Sequence, residues 1–362
     1  MGHGLRHPGD LVAWRRWHES RHPLRHAVRT ARSRIRKPAS ALVDVLEPEG
    51  EPDVLVAVEA THASVRHAVA APLDHLDPGR TIVVAPTGWQ APPGFAGHRR
   101  RATDLAGLTT SAPPRAVLAA GHYTEIGSAA YDLAERHGAT FFVAQHGALT
   151  PFAPPLPRAA RLLAWSESDG DFWTEGRQDV QVSATGSQLL WTAGLVTGAS
   201  APSSTSSGSA NAPSSTSSDS ERLVYLGQGH AAEISRARLA HAALVTCREH
   251  GAAYRPHPSE RDVTSRAVLG AYARAGITID TSGVPLVDLD APIVSVFSTG
   301  VLEAAARGRR AWVDFPRPPA WLGEFWERYG MHRLGTAPTP APDQPSVEPA
   351  RRIAEIVTEA AR

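Results

Sequence analysis

Short apolar runs bounded by turn residues recur along the chain, and stretches of helical spacing lie between them. In the first half the runs fall at 53–60, 81–86, 115–121, 140–145, 161–165 and 180–184; in the second they fall at 222–227, 252–256, 292–297 and 310–315. Runs so uniformly apolar predict strands buried on both faces, and their alternation with helices predicts parallel sheets covered by helices. Helical patterns are expected at 128–137, 167–175, 231–249, 262–275, 299–307 and 349–361. Between the halves, residues 199–220 contain "APSSTSS" twice, a composition too polar to fold on its own and best read as a flexible linker. The expected fold class is therefore α/β: two doubly wound Rossmann-like domains, at 51–198 and 221–362, facing a cleft.

At 362 residues the chain exceeds what one hydrophobic core usually organises, which agrees with two domains. The one cysteine, Cys247, excludes an intrachain disulfide. No N-terminal stretch has the layout of a signal peptide, and no apolar run reaches the roughly 18 residues of a spanning helix. A cytoplasmic protein is expected, with membrane contact at most peripheral. The net charge of +1 is uneven, because ten Arg or Lys between Met1 and Lys37 face only Asp10 and Glu19. Trp14, Trp17, Leu24, Val28 and Ile35 lie among those arginines. Residues 1–50 thus suit a basic leader that rests, partly helical and interrupted at Pro23, on the anionic inner face of a cell membrane. A disordered or core-docked arm is the plainer alternative, and no basic motif elsewhere calls for a specific nucleic acid.

Ligands of open α/β folds bind beyond the carboxyl ends of the strands, so the residues after each apolar run carry the information. His146 and Gly147 end one run, with glycine allowing a close approach or a left-handed turn. Gly227 and Gly229 follow another. Arg255, His257 and Glu260 cluster around Pro256 and Pro258, which hold the backbone extended. Ser298, Thr299 and Gly300 form a strand-to-helix turn whose N–H groups and dipole favour an anion. Glu303, one turn on, is placed to accept ribose hydroxyls or to cap the helix. Arg99, Arg100 and Arg101 offer charge to an anionic acceptor or form a solvated face. Trp321 and Trp326 are expected to pack between domains or to stack on a base or sugar. Asp288 and Asp290 precede a strand, where a carboxylate commonly caps a turn, and no metal is expected there. With neither a dinucleotide glycine fingerprint nor a complete phosphate loop, hydride transfer and ATP hydrolysis recede.

The "HG" turn followed by proline, the later "R-x-H-P" and a strand leading into Ser-Thr and a Glu-bearing helix resemble a known group over residues 53–335. They look like the two-domain GT-B transferases of cell-surface polymers, notably the CDP-glycerol glycerophosphotransferases of teichoic acid synthesis and the bacterial sialyl- and polysialyltransferases. The resemblance implies transfer of a sugar or polyol phosphate from a CMP-, CDP- or UDP-activated donor to a glycan or lipid-linked acceptor of the envelope or capsule, with no resident cofactor. It implies that His257 and Ser298 with Thr299 hold the donor phosphate and that His146 is the base. On the residue reading, Arg255, Gly227, Gly229, Gly300 and Glu303 complete the donor side, and Arg99, Arg100 and Arg101 the acceptor side. The acidic triplet of the sialyltransferases has no counterpart in the first domain, and Phe297 stands where some versions carry tyrosine. The transferred group stays open, as do two other readings: a nucleotide-sugar 2-epimerase-like enzyme, and a non-enzymatic membrane- or RNA-binding scaffold.

Overall fold

The computed structural model describes residues 4–21, 42–60, 62–198 and 222–362; the linker 199–220 and the basic residues 22–41, with Leu24, Val28 and Ile35, lie outside them. The chain divides into two compact units, Met1–Trp191 with Gln344–Arg362, and Thr192–Asp343.

In the first unit eight strands form one sheet: β1 (Leu42–Glu47), β2 (Val54–Ala57), β3 (Thr81–Pro86), β4 (Arg99–Asp104), β5 (Ala116–Ala119), β6 (Thr140–Ala144), β7 (Arg161–Ala164) and β8 (Gln181–Ala184). Their order is β4-β1-β3-β2-β5-β6-β7-β8. The six strands from β3 to β8 in that order run parallel, as the apolar runs predict. Val54, Val56 and Val83 enter one core, while Leu55, Ala57, Ile82 and Val84 enter the other. Both faces of the sheet's central strands are therefore dry, and the alternation expected of a one-sided strand is lost there. The helices are α1 (Leu11–Ser20), α2 (Glu125–His137) and α3 (Glu167–Thr174), together with an irregular helical stretch over 63–75, while α4 (Gln188–Gly198) crosses the boundary between the units after Trp191.

The antiparallel pair β1 and β4 is absent from the sequence pattern, because β1 contains Asp44 and Glu47 and β4 opens on three arginines. Register explains both departures. Glu47 lies opposite Arg99, which donates to its carboxylate at 3.0 Å. Arg100 donates to Asp44 at 2.6 Å and to the Trp89 carbonyl at 3.1 Å, and Arg101 donates to the Thr109 carbonyl at 2.8 Å. Asp44 and Glu47 are buried, and the arginines supply the partners that buried carboxylates require. The charge expected to guide an acceptor is engaged within the sheet's own edge, where it also discourages pairing with another strand.

Within the expected leader 1–50, the described elements α1 and β1 both belong to the first unit. Trp14 Nε1 donates to the Phe152 carbonyl at 2.8 Å. Trp17 stacks on the Phe152 ring at 4.9 Å between centroids, and the Arg6 guanidinium lies 4.9 Å from the same ring. The two tryptophans expected on a membrane surface are packed against protein instead. Among the described residues no helix is long and apolar enough to cross a membrane.

The second unit has four parallel strands, β9 (Val224–Leu226), β10 (Ala253–Arg255), β11 (Ile293–Ser295) and β12 (Ala311–Val313), in the order β10-β9-β11-β12. Single bridges from Tyr254 to Ile279 and from Val313 to Arg333 add a rudimentary strand on either side. Its helices are α5 (Arg236–His250), α6 (Val263–Arg274), α7 (Thr299–Ala306) and α8 (Ala320–Arg328). Trp321 and Trp326 are buried in this unit, Trp326 Nε1 donating to the Val296 carbonyl at 2.7 Å. Asp290 pairs with Arg309 at 2.5 Å.

The last helix, α9 (Pro349–Ala360), was expected in the second domain and instead completes the first. Its stripe Ile353, Ala354, Val357 and Ala361 shares a core with Val69, Leu73 and Val83. Gln188 fixes its start, accepting from Ala350 N at 2.8 Å and donating to Glu348 at 2.9 Å.

Candidate functional site

Each sheet reverses its strand order at one point. In the first unit β2 has β3 on one side and β5 on the other, so the crevice expected of such a fold opens beyond the carboxyl ends of β2 and β5. Glu59 follows β2, Tyr123 and Thr124 follow β5, and His146 follows β6, the next strand along. The Tyr123 hydroxyl stands 3.3 Å from His146 Nε2, their rings nearly parallel at 6.4 Å. Trp14 of α1 meets the Tyr123 ring edge-on at 5.6 Å.

Gln145 holds the "HG" turn in place. Its Oε1 accepts from Trp165 N at 2.8 Å, its Nε2 donates to Asp169 at 2.8 Å and to the Gly147 carbonyl at 3.1 Å, and its own carbonyl accepts from Trp165 Nε1 at 2.9 Å. Gly147 does not adopt the left-handed backbone that its sequence allows. Burial, reinforced by nearby His62, pushes the His146 imidazole down to about 4, and it is neutral at pH 7. Its Nδ1 is buried and makes no hydrogen bond. His62 Nδ1 lies 3.0 Å from Ser64 Oγ, and burial lowers that ring too.

Sequence reasoning passed over Glu59, although it obeys the same positional rule as His146. Both carboxylate oxygens are buried, and neither completes a hydrogen bond. Burial raises Glu59 to about 7, against the opposing pull of the Thr124 hydroxyl and the backbone of Gly121 and Ala120. The carboxylate lies against the first turn of α2, where a Cβ on Gly127 would come within 2.2 Å of Oε1. The glycine is what allows the helix and the carboxylate to share that space. Tyr123 is held above its ordinary value by burial first and by the Glu59 charge second.

In the second unit the order reverses between β9 and β11. Gln228, after β9, bridges the two strands, its Oε1 accepting from Phe297 N at 2.9 Å and from Ser295 Oγ at 3.1 Å. His257 lies face to face with His230, 3.7 Å between ring centroids. Beneath them Glu260 accepts from Gly229 N at 2.9 Å, from the Tyr254 hydroxyl at 2.8 Å and from His257 N at 3.4 Å. Burial alone would raise Glu260, but the nearby His230 ring, 4.0 Å away, and the hydrogen bonds from Tyr254, Gly229 and His257 hold it below its ordinary value. Gly227 has a packing reason, because a Cβ there would sit 2.4 Å from the Tyr254 hydroxyl.

Ser298 is the N-cap of α7, its Oγ accepting from Gly300 N at 3.1 Å, and Thr299 opens the helix. Gly300 lets the helix approach Leu226 and Leu286, both within 3 Å of where its Cβ would be. Glu303 lies beyond the capping turn; burial raises it, and Arg307 acts in the opposite direction. Arg255 pairs with Asp280 at 2.8 Å and donates to the Val284 carbonyl, so this guanidinium fastens the 280–284 loop. Of the residues expected on the donor side, the unit gathers Gly227, Gly229 and His257 around Glu260, with Ser298, Thr299 and Gly300 across the same switch point. His230, which sequence reasoning missed, joins the first group; its signal was "GQGHAAE", a histidine one residue past a strand-end glycine pair.

Compared with family models, with curated proteins and with solved structures, the chain matches none.

Proposed function

We propose that the protein is a GT-B type transferase that moves a sugar or polyol phosphate from a nucleotide-activated donor to a hydroxyl of a cell-envelope or capsular glycan. The observation that carries this reading is that each unit ends its parallel strands, at its own switch point, in a histidine-bearing cluster of different chemical character. In the second unit, stacked His230 and His257 after β9 and β10 and the N-terminus of α7 after β11 are each suited to phosphate oxygens, and hydrogen bonds to charged groups at such sites stabilise a leaving nucleotide. In the first unit, neutral His146 suits removal of a proton from an acceptor hydroxyl. The bond broken is that between the transferred group and the nucleotide phosphate, which leaves with the electron pair; the bond formed joins that group to the acceptor oxygen.

Thermal unfolding in the presence of CMP, CDP, UDP or GDP tests the donor side, since a ligand of the folded state raises stability by mass action. One nucleotide is expected to raise the midpoint, and His257→Ala to remove that rise. His146→Ala is expected to abolish transfer while the nucleotide still binds. Collapse of nucleotide binding in His146→Ala with transfer intact in His257→Ala would refute the assignment. Conversion of a donor sugar without any acceptor would instead favour the epimerase.

A further inference from the structure

The loops after β9 and β10 meet at one carboxylate. Glu260, 7% exposed, accepts from Gly229 N at 2.9 Å on the β9 side and from His257 N at 3.4 Å on the β10 side. Its own N–H donates to the His257 carbonyl at 2.8 Å, and the Tyr254 hydroxyl donates to its second oxygen at 2.8 Å. Gly227 and Gly229 leave the room, since a Cβ on the first would come within 2.9 Å of Oε1 and one on the second within 3.4 Å of the carboxylate carbon. Fastening of this kind needs no charge, and a neutral amide would serve nearly as well. What an amide could not supply is a negative charge 4.0 Å from His230 Nδ1, a buried nitrogen that completes no hydrogen bond. The His230 ring in turn lies 3.7 Å from His257, face to face. Two charged rings at that spacing repel one another, so the stack takes up a single proton, and the carboxylate beneath favours it.

We propose that Glu260 is a positioning residue of the second-unit site, fastening the two loops and holding one positive charge on the stacked histidines for an anionic phosphate ligand. This rests on the transferase reading for the nucleotide that carries the phosphate, but not for the coupling of Glu260 to the stack. The other charged groups of the surrounding elements are paired among themselves. Arg236, at the start of α5, donates through both terminal nitrogens to Asp262, the N-cap of α6, at 3.0 and 2.7 Å, and Arg255 of β10 pairs with Asp280 at 2.8 Å. Burial keeps the hydroxyls of Tyr225 on β9, Tyr254 on β10 and Tyr272 on α6 protonated.

The test uses the full chain, with inorganic pyrophosphate and CDP as probes titrated calorimetrically across the neutral range; the ionisation of each probe is common to every variant. Affinity should fall on the alkaline side as the stack loses its proton. In Glu260→Gln that fall should move to lower pH by about one unit, leaving binding about tenfold weaker at pH 7. Glu260→Asp keeps the charge and should recover most of the affinity. Tyr254→Phe removes a hydrogen bond to the carboxylate but not its charge, and should lower the unfolding midpoint without moving the profile. His230→Asn leaves the fastening in place and should show the same tenfold loss as Glu260→Gln. An unchanged profile in Glu260→Gln, an equal displacement in Tyr254→Phe, or full affinity in His230→Asn would overturn the proposal. If neither probe binds the wild type, the donor reading fails for this site. The His230 and His257 ring resonances, followed by NMR over the same range, then decide the coupling: a titration that moves to lower pH in Glu260→Gln supports it, and one that stays refutes it.

Discussion

Glu59 and His146 answer burial in opposite senses, and the protein's stability should follow each of them. With Glu59 at about 7 in the folded protein against an ordinary 4.5, the native state holds a proton that the unfolded chain has already released. Its contribution therefore falls as pH rises through that window and stays low above it. His146, at about 4 against 6.5, binds its proton more readily when unfolded, so its contribution falls as pH drops through 6.5. Over the shared range the two slopes largely oppose each other. Glu59→Gln removes one of them, and urea unfolding should show the variant gaining on the wild type by up to about 3 kcal/mol at pH 8 and little at pH 4. An equal difference at both pH values would mean that the carboxyl is not held near 7. At this scale the sequence made His146 legible, because a ring ending an apolar run is conspicuous. Glu59 was hidden, since "VEA" gives no sign that the carboxylate lacks a partner; that depends on Thr124 and Gly127, far along the chain.

Among the elements, strands buried on both faces were readable as apolar runs, and all ten expected runs became strands. β1 and β4 were not, because their polar residues are matched across the ladder and only the register brings Glu47 to Arg99. Helix α1 was readable as a partly helical segment but not as a docked one, because the same tryptophans suit a bilayer or a protein surface. Its ten residues are too few to hold a helix in water on their own, so its order depends on Trp14 and Trp17. Trp14→Ala should release the element. Hydrogen exchange of residues 11–20 should accelerate toward that of an unprotected peptide while β5 and β6 keep their protection. Undiminished protection of α1 in that variant would show that Trp17 and Arg6 hold it without Trp14.

For the whole molecule, composition and the repeat-bearing linker announced two bodies, yet the boundary near the C-terminus was invisible. The stripe on α9 declares that the helix needs a core without saying which one. Because Ile353 is buried in the first unit, Ile353→Ala should lower that unit's stability by about 2–5 kcal/mol and leave the second unit's unchanged. Calorimetry should resolve this as one transition moving and one staying, and movement of both would show that the units unfold together. The position of α9 also bears on how the chain is made. The strands of the first unit are translated early, the second unit follows, and the helix that covers Val69 and Leu73 is made after it. At ribosomal speeds the roughly 150 intervening residues take about 8–30 s. For that interval the first unit presents an open apolar face to the cell, and the face closes only once α9 has been made.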